Sequence, residues 1–445
     1  MNSENRTMME HFDTIVIGAG VAGVAAAVAT ARHGARTMLV ESGVCAGGMG
    51  SAGLVPCFTP FSYKERPLVA GIAGEIHRRL CQYGGSIPEP WAIIDAEWMK
   101  YVCDEILEEA KVEIRYLTSF CGAETDGCLI RSIRLLDRSG EYQVTGDNFI
   151  DCTGDAAFAH AVGVPTQNGD EAGRTQPGSC CFVVAGVNAG KILPQVKEPS
   201  GNKSVIRLTN LLRERIQEWL GAGYLSNSED FEFHVAGANL DLAHGVARVN
   251  FGHFYGLGGC DSAAVSRMLV AGRRRIREFV ECLRAHLPGM EDAVLVGTPS
   301  LPNIRESRRI VGRLELTGSA FWNGETHDDD IALYDYCVDV HALSLAEGQM
   351  GLPQELSRKM TETKLAKHYG IPFGICLVRE YENLAVAGRC VSATQEMLGA
   401  LRVMPAAMST GQAVGTAAAL SKPLAAVKLQ ELRETLRRDG VILES

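Results

Sequence analysis

The apolar positions along the chain change period several times, and each change predicts an element. "TIVIGAG", from Thr14, is a continuous apolar run closed by glycines, the pattern of a parallel strand covered on both faces. It leads into the small-residue helix "VAGVAAAVATAR" and then into a second apolar run that ends on Glu41. "GIAGEIHRRLCQYGG" has the spacing of a short amphipathic helix. In "DAEWMKYVCDEILEEA" an acidic start precedes Trp98, Val102, Ile106 and Leu107 on one face, which predicts a clearer helix. Short runs around "VEIRYLTS", "GCLIRSIRLLDRSG" and "EYQVTGDNFIDCTGD", broken by Asp-Gly and Ser-Gly, predict an antiparallel meander returning to a buried strand at "NFIDCTGD". From about Gly163 to Gly370 the pattern is mixed, with loops and a long helix near "AAVSRMLVAGRRRIREFVECLRAHLPG". The final part is again strand, loop and small-residue helix.

Composition narrows the class. With 445 residues, 46% of them apolar, the chain buries a large core in two or three domains. A net charge of -10 argues against nucleic acid as partner, and the basic run Arg273, Arg274, Arg275 reads as a solvated helix face beside Glu278 and Glu281. The 14 cysteines form no C-x-x-C or other metal spacing, so they read as reduced thiols and no metal is assigned. Cys45 and Cys152 fall in the nucleotide-binding stretches described next, where a redox or flavin-linking role is the alternative. The start lacks a cationic segment followed by an apolar run, and no run reaches the roughly 18 residues a membrane span needs, so a cytoplasmic protein is expected.

The opening unit carries the first chemistry. Gly18, Gly20 and Gly23 complete G-x-G-x-x-G where strand meets helix. Gly18 allows the tight turn, Gly20 lets the backbone approach a pyrophosphate, and Gly23 lets helix lie against sheet. The helix start offers free N–H groups and a positive dipole end to phosphate. Glu41, ending the second strand, is placed to bind adenosine ribose hydroxyls. The register alone leaves NAD and FAD both open. Three further features favour FAD: a second glycine pair, Gly47 and Gly48; the strand ending Thr153-Gly154-Asp155; and the C-terminal "NLAVAGR" strand followed by the helix opening in "RVMPAAMSTGQAVG".

With these motifs, with "IRESRRIVG" (Ile304–Gly312) and with "DDDIALYDYCVDVH" (Asp328–His341), the chain resembles bacterial FAD-dependent oxidoreductases with a glutathione-reductase-type FAD domain, related to succinate dehydrogenase and fumarate reductase flavoproteins. The resemblance implies non-covalent FAD held by Gly388 and Arg389 near the pyrophosphate and ribityl chain. It also implies that the last helix, at Met404, Pro405 and Gly411, points its start at the flavin. Proline at the first helical position places that start at Pro405. Cys152 stands where alanine is usual in the family.

The expected architecture is therefore α/β: a Rossmann-like FAD-binding domain, with a central parallel sheet plus the meander, built from residues 1–165 and 370–445. An α+β capping or substrate domain, 166–369, is inserted. The expected activity is hydride transfer between a hydroxyl or CH–CH group of a small organic substrate and flavin N5, with electrons passed to an unidentified acceptor. An NAD(P) dehydrogenase, a flavin monooxygenase and a non-catalytic flavin protein are the alternatives. Arg305 and Arg308 are candidates to clamp an anionic or polyol substrate or a flavin phosphate, with ion pairs to Glu306 and Glu315 as the structural alternative. Asp339 and His341 alternate, which puts both on one face of a strand. His341 and His253 compete for the role of general base, and Glu396 and Arg402 flank the approach to the last helix.

Overall fold

The computed structural model describes residues 9–63, 66–87, 91–197, 204–347 and 368–444. The chain opens with β1 (Glu10–Ile17), α1 (Val21–Arg32) and β2 (Thr37–Val40). Next come α2 (Gly71–Gln82), α3 (Ala96–Glu109), β3 (Glu113–Arg115), β4 (Ser119–Asp126), β5 (Leu129–Asp137) and β6 (Gly140–Asp151). The main sheet runs β3-β2-β1-β6-β5-β4, and the strand Leu384–Val386 joins it on β6. Strands β3, β2, β1 and β6 pair in parallel, while β6, β5 and β4 form the antiparallel meander. The two halves of β6 thus do different work: its first half closes the meander, and its second half, buried, lies between β1 and Leu384–Val386. The mixed α/β sheet expected from the sequence is present, with β3 in its parallel part rather than in the meander.

One helix is turned differently from the expectation. In α3 the buried side chains are Met99, Val102, Cys103, Ile106 and Leu107, whereas Trp98 is 40% exposed and stacks on Tyr83. The buried stripe follows 99, 102, 103, 106, which completes the 3.6-residue period more fully than a stripe begun at 98. Asp95 caps the helix by accepting from the Glu97 and Trp98 N–H groups at 3.0 and 3.2 Å.

A second, antiparallel sheet is built from β7 (Gly178–Ala185), β8 (Val205–Arg207), β9 (Phe231–Asp241), β10 (Val246–Phe254) and β11 (Val294–Gly297), in the order β8-β9-β10-β7-β11. Helices α4 (Thr209–Gly221) and α5 (Ser262–His286) pack on it. Its own apolar cluster contains Phe182, Phe233, Phe251, Phe279 and Trp219, separate from the cluster under the main sheet. Gly272 brings α5 onto β7, since a Cβ there would stand 2.5 Å from Cys180 Sγ. The run Arg273–Arg275 lies on α5; Arg273 and Arg274 are exposed, and Arg275 pairs with Glu278 at 2.9 Å.

Two C-terminal helices, α6 (Gln395–Leu401) and α7 (Met404–Leu420), return the chain to the main sheet. Helix α7 starts at Met404 with Val403 as its cap, so Pro405 occupies the second helical position, one residue later than expected. Its small residues meet α1. A Cβ on Gly411 would stand 2.1 Å from the Ala22 carbonyl oxygen, and one on Gly415 would stand 2.2 Å from that of Ala26. The Thr30 hydroxyl donates to the Gly415 carbonyl at 3.0 Å. Gly411, expected among the cofactor-binding residues, is therefore required by helix packing. Since Ala22 meets Gly411 and Ala26 meets Gly415, the helices run in the same direction and begin at the same end. Gly415→Val is expected to remove roughly 3 kcal/mol of stability by overpacking this crossing. Urea unfolding checks it; a midpoint equal to wild type would show that the helices can separate freely.

Candidate functional site

The turn between β1 and α1 shows which of its glycines the protein itself requires. A Cβ on Gly18 would stand 2.7 Å from the Cys152 carbonyl carbon, and one on Gly23 would stand 1.8 Å from the Gly18 oxygen. Both are dictated by packing, and Gly18 also has φ +97°. Gly20 differs. Its φ is -61°, available to any residue, and a Cβ there would meet nothing nearer than the Cys152 oxygen at 4.0 Å. No neighbour in the protein requires glycine at 20, so the open space in front of the α1 N-terminus is the space a pyrophosphate would use.

The other expected cofactor residues converge on this point. Gly47 bridges to Gly20, and a Cβ on Gly48 would stand 2.9 Å from Gly20 Cα. Glu41 accepts the Ala19 N–H at 2.7 Å and the Gly43 N–H at 2.6 Å, which holds its carboxylate at the lip of the turn. Thr153 is fixed to Asp151 by its N–H at 2.9 Å and its hydroxyl at 2.7 Å. Gly154 has φ +74° and lies against Arg389, whose guanidinium bonds Asp155 at 2.9 Å. Ser307, which the sequence did not single out, donates to Asp155 at 2.5 Å. Gly388 has φ +83°, donates its N–H to the Thr410 hydroxyl at 3.0 Å and faces Ala22 at the start of α1. Met404 reaches the glycine loop, with its sulfur 3.1 Å from where a Gly50 Cβ would be. A long dinucleotide fits this donor set: glycine backbone for phosphates, Glu41 for ribose, and the α7 start for the far end. Burial pushes the Cys152 and Cys45 thiols up, so neither is a ready thiolate.

Next to the α7 start stands a buried polar cluster. Arg402, two residues ahead of Met404, donates to the Asp339 carboxylate and carbonyl, each at 2.8 Å. Asp339 Oδ1 lies 3.4 Å from His341 Nε2, and His341 Nδ1 lies 2.9 Å from His253 Nε2. His253 Nδ1 lies 3.0 Å from Glu232 Oε2, which also accepts the Tyr255 hydroxyl at 2.8 Å. The two histidines that competed in the sequence are thus neighbours in one chain of bonds. Asp339 and His341 face each other as expected, but from a loop: no strand covers residues 335–342, and the register β9 to β10, pairing Glu232 with His253, supplies the order instead.

The arginines divide differently from the expectation. Arg305 is buried and donates to the Pro177 carbonyl at 2.5 Å. Arg308 binds the Asp155 carbonyl at 3.0 Å, away from the histidines, and it is Arg309 that approaches Glu306, at 3.7 Å. Glu306 accepts the Gln176 N–H at 2.5 Å and Glu315 accepts from Gln167 at 2.8 Å, and among the described residues neither forms an ion pair with Arg305 or Arg308, while Glu396 accepts from Trp322 at 2.7 Å. Glu232, His234, Tyr255 and Gln176 went unnoticed in the sequence. An acid and a histidine within the fully buried stretch Phe231–Val235 was the available signal. His234 stacks on His253 with ring centroids 3.9 Å apart.

Electrostatics follow from burial and from the guanidiniums. Burial first, then Arg305, push the His341 imidazole down to about 4. Burial, then the neighbouring histidines, lower His253 and His234 as well. Burial and Arg402 push Arg305 down to about 10. Burial works against the Asp339 charge, but His341, Arg402 and Arg305 outweigh it and hold the carboxyl far below its usual range. Ring nitrogens of His234, His253 and His341 lie within 4.8 Å of one another, close enough to share a metal ion, a grouping not foreseen in the sequence. Arg305 and Arg213 oppose a further cation there, since their charges already depress these rings.

Residues 13–436 match the family model for FAD dependent oxidoreductases. No curated protein matches the chain. Among solved structures, it is similar to an anhydrotetracycline hydroxylase from Streptomyces rimosus at 12% identity and TM-score 0.43, over 96% of this chain and 65% of that one. The chain thus spans just under two thirds of the hydroxylase. It is also similar to a geranylgeranyl bacteriochlorophyll reductase-like protein from Thermoplasma acidophilum at 10% identity and TM-score 0.45, over 97% and 84%. A third is the myxobacterial chondrochloren halogenase, at 12% and 0.44, over 97% and 79%.

Two outcomes are expected. Gly20→Val should purify without bound dinucleotide and unfold in urea at a midpoint near that of cofactor-free wild type; a variant with a full flavin spectrum would refute the assigned space. The second concerns pH. The folded pKa of His341 lies below its unfolded value near 6.5, so the unfolded chain takes up the proton first and stability falls as pH drops from 6.5 towards 4. Between pH 6.5 and 5 this one group is expected to cost about 2 kcal/mol. Urea unfolding of His341→Asn over the same range should show a correspondingly shallower loss, and an unchanged slope would mean that His341 is not held neutral.

Proposed function

The chain belongs to the FAD-dependent oxidoreductase family, and we propose that within it this enzyme oxidises a hydroxyl group of a small organic substrate, with His341 taking the hydroxyl proton. The observation that carries the reading is the bond sequence Tyr255–Glu232–His253–His341–Asp339–Arg402, ending two residues from the start of α7. The family decides between the two dinucleotides: the cofactor is FAD, and the glycine cradle and Glu41 are the residues that would hold it. When bound, FAD supplies the two-electron chemistry, accepting the hydride that leaves the substrate carbon.

The proton side is the work of the protein. The Tyr255 hydroxyl donates to Glu232 Oε2, so that oxygen is an acceptor and the His253 Nδ1 beside it carries the proton. His253 Nε2 is then an acceptor for the proton of His341 Nδ1. This order leaves His341 Nε2 bare, the tautomer a base needs, and its 3.4 Å contact with the Asp339 carboxylate becomes a hydrogen bond only when Nε2 gains a proton. Once Nε2 takes the substrate proton, the imidazolium faces the Asp339 carboxylate at 3.4 Å, which Arg402 holds in place. The His341 backbone is fixed in turn by its N–H bond to Gln176 Oε1 at 3.0 Å.

The closer kinship with succinate dehydrogenase and fumarate reductase flavoproteins, a cytoplasmic location and transfer of electrons to a separate acceptor belong to the same proposal. Among the described residues no helix is long and apolar enough to cross a membrane. The test is anaerobic stopped-flow reduction by any donor that bleaches the wild-type flavin. His341→Ala should slow reduction about 100-fold or more, and His253→Ala less, with FAD content unchanged in both. Wild-type rates in both variants would remove histidine from the proton step.

A further inference from the structure

Burying a guanidinium without a carboxylate partner is unfavourable, and an arriving anion would relieve that cost. Arg305 is 2% exposed, its contact is the neutral Pro177 carbonyl, and no described carboxylate lies within ion-pair distance. Arg213 likewise donates to a carbonyl, that of Val235, at 2.7 Å. Arg402 is already matched with Asp339, yet its Nε is buried and has no partner. One further donor is free. Gln176 accepts the His341 N–H through Oε1, which fixes the orientation of its amide, and so the buried, unpartnered atom is Nε2, an N–H donor. The surroundings of His341 therefore hold spare positive charge and spare N–H donors, with Asp339 already spoken for.

We propose that the substrate is a small organic acid carrying a hydroxyl on the carbon next to its carboxylate, with the carboxylate bound by Arg305 and the hydroxyl at His341. The inference rests on the redox reading above and narrows it. A planar carboxylate matches the fork of a guanidinium, and Gln176 Nε2 can share it. Oxidation then balances simply. The C–H bond beside the carboxylate breaks as hydride taken up by FAD, the O–H proton passes to His341 Nε2, and a 2-oxo acid leaves. A bound carboxylate beside Arg305 also offsets the second of the two causes, after burial, that hold the His341 imidazole low.

The experiment uses the FAD-loaded protein under anaerobic conditions, with lactate, glycolate and malate as acids and lactamide as the neutral match to lactate. Binding is read by calorimetry and by perturbation of the flavin spectrum, and turnover by bleaching. At least one acid should bind about 100-fold more tightly than lactamide, and Arg305→Met should abolish most of that difference. Arg305→Lys, which keeps the charge but loses the fork, should retain part of it and serves where the methionine variant loses FAD. Equal binding of lactate and lactamide, failure of every acid to bind, or a preference unchanged in both variants would overturn the inference. Acids that bind with the expected preference while no organic donor reduces the flavin would instead overturn the redox reading.

Discussion

The parallel crossing of α1 and α7 is the constraint on which the rest depends. The two helices run in the same direction, with α7 beginning about six residues beyond the level of the α1 start, so both positive dipole ends point towards the same side of the molecule, where negative charge is favoured. They also approach so closely that Ala22 and Ala26 meet bare glycines, Gly411 and Gly415. Alanine and glycine make this contact possible but contribute little apolar area, so the crossing is held by the sheet beneath and by the Thr30 hydroxyl bond to the Gly415 carbonyl. An anionic dinucleotide bound before these helix starts would complete that electrostatic balance.

That balance explains which features could be read from the sequence. The β1–α1 turn was legible because Gly18 and Gly23 answer local packing demands at a spacing set by helix geometry, with Gly20, which packing leaves free, between them. Gly411 was legible only as a need for closeness. Sequence shows that something approaches at that position; it does not show whether that is a flavin or, as here, Ala22. The start of α7 at Met404 rather than Pro405, and the exposure of Trp98, are small errors of phase of the kind that caps and neighbouring turns decide.

The histidine cluster was half legible. His253 and His341 were candidates by residue type, but 88 positions separate them, and nothing local says that they touch. Their contact comes from the pairing of β9 with β10 and from a loop that alternation misread as strand. Glu232 and His234 were missed because period-2 reasoning treats a buried strand as apolar, and polar residues inside it look like exposed positions. Arginine roles were the least legible. In "IRESRR" three guanidiniums lie within five residues, yet they go to a backbone carbonyl near the histidines, to Asp155 and to Glu306 respectively. Charge pattern gives the inventory, and only the backbone path assigns the partners.

The same backbone path ties the proposed proton acceptor to the start of α7. Residues 339 and 340 rest on α6 at Gly399, where a Cβ would stand 2.9 Å from Val340 and 3.1 Å from the Asp339 nitrogen. Helix α6 ends at Arg402, which holds the Asp339 carbonyl and carboxylate together, and α7 begins two residues later. Two hydrogen bonds and a short stretch of chain therefore join the loop of Asp339 and His341 to the first turn of α7. On the proposed reading, hydride and proton would leave the same substrate in one geometry, and a short covalent link between the histidine loop and the α7 start would help to keep that geometry fixed.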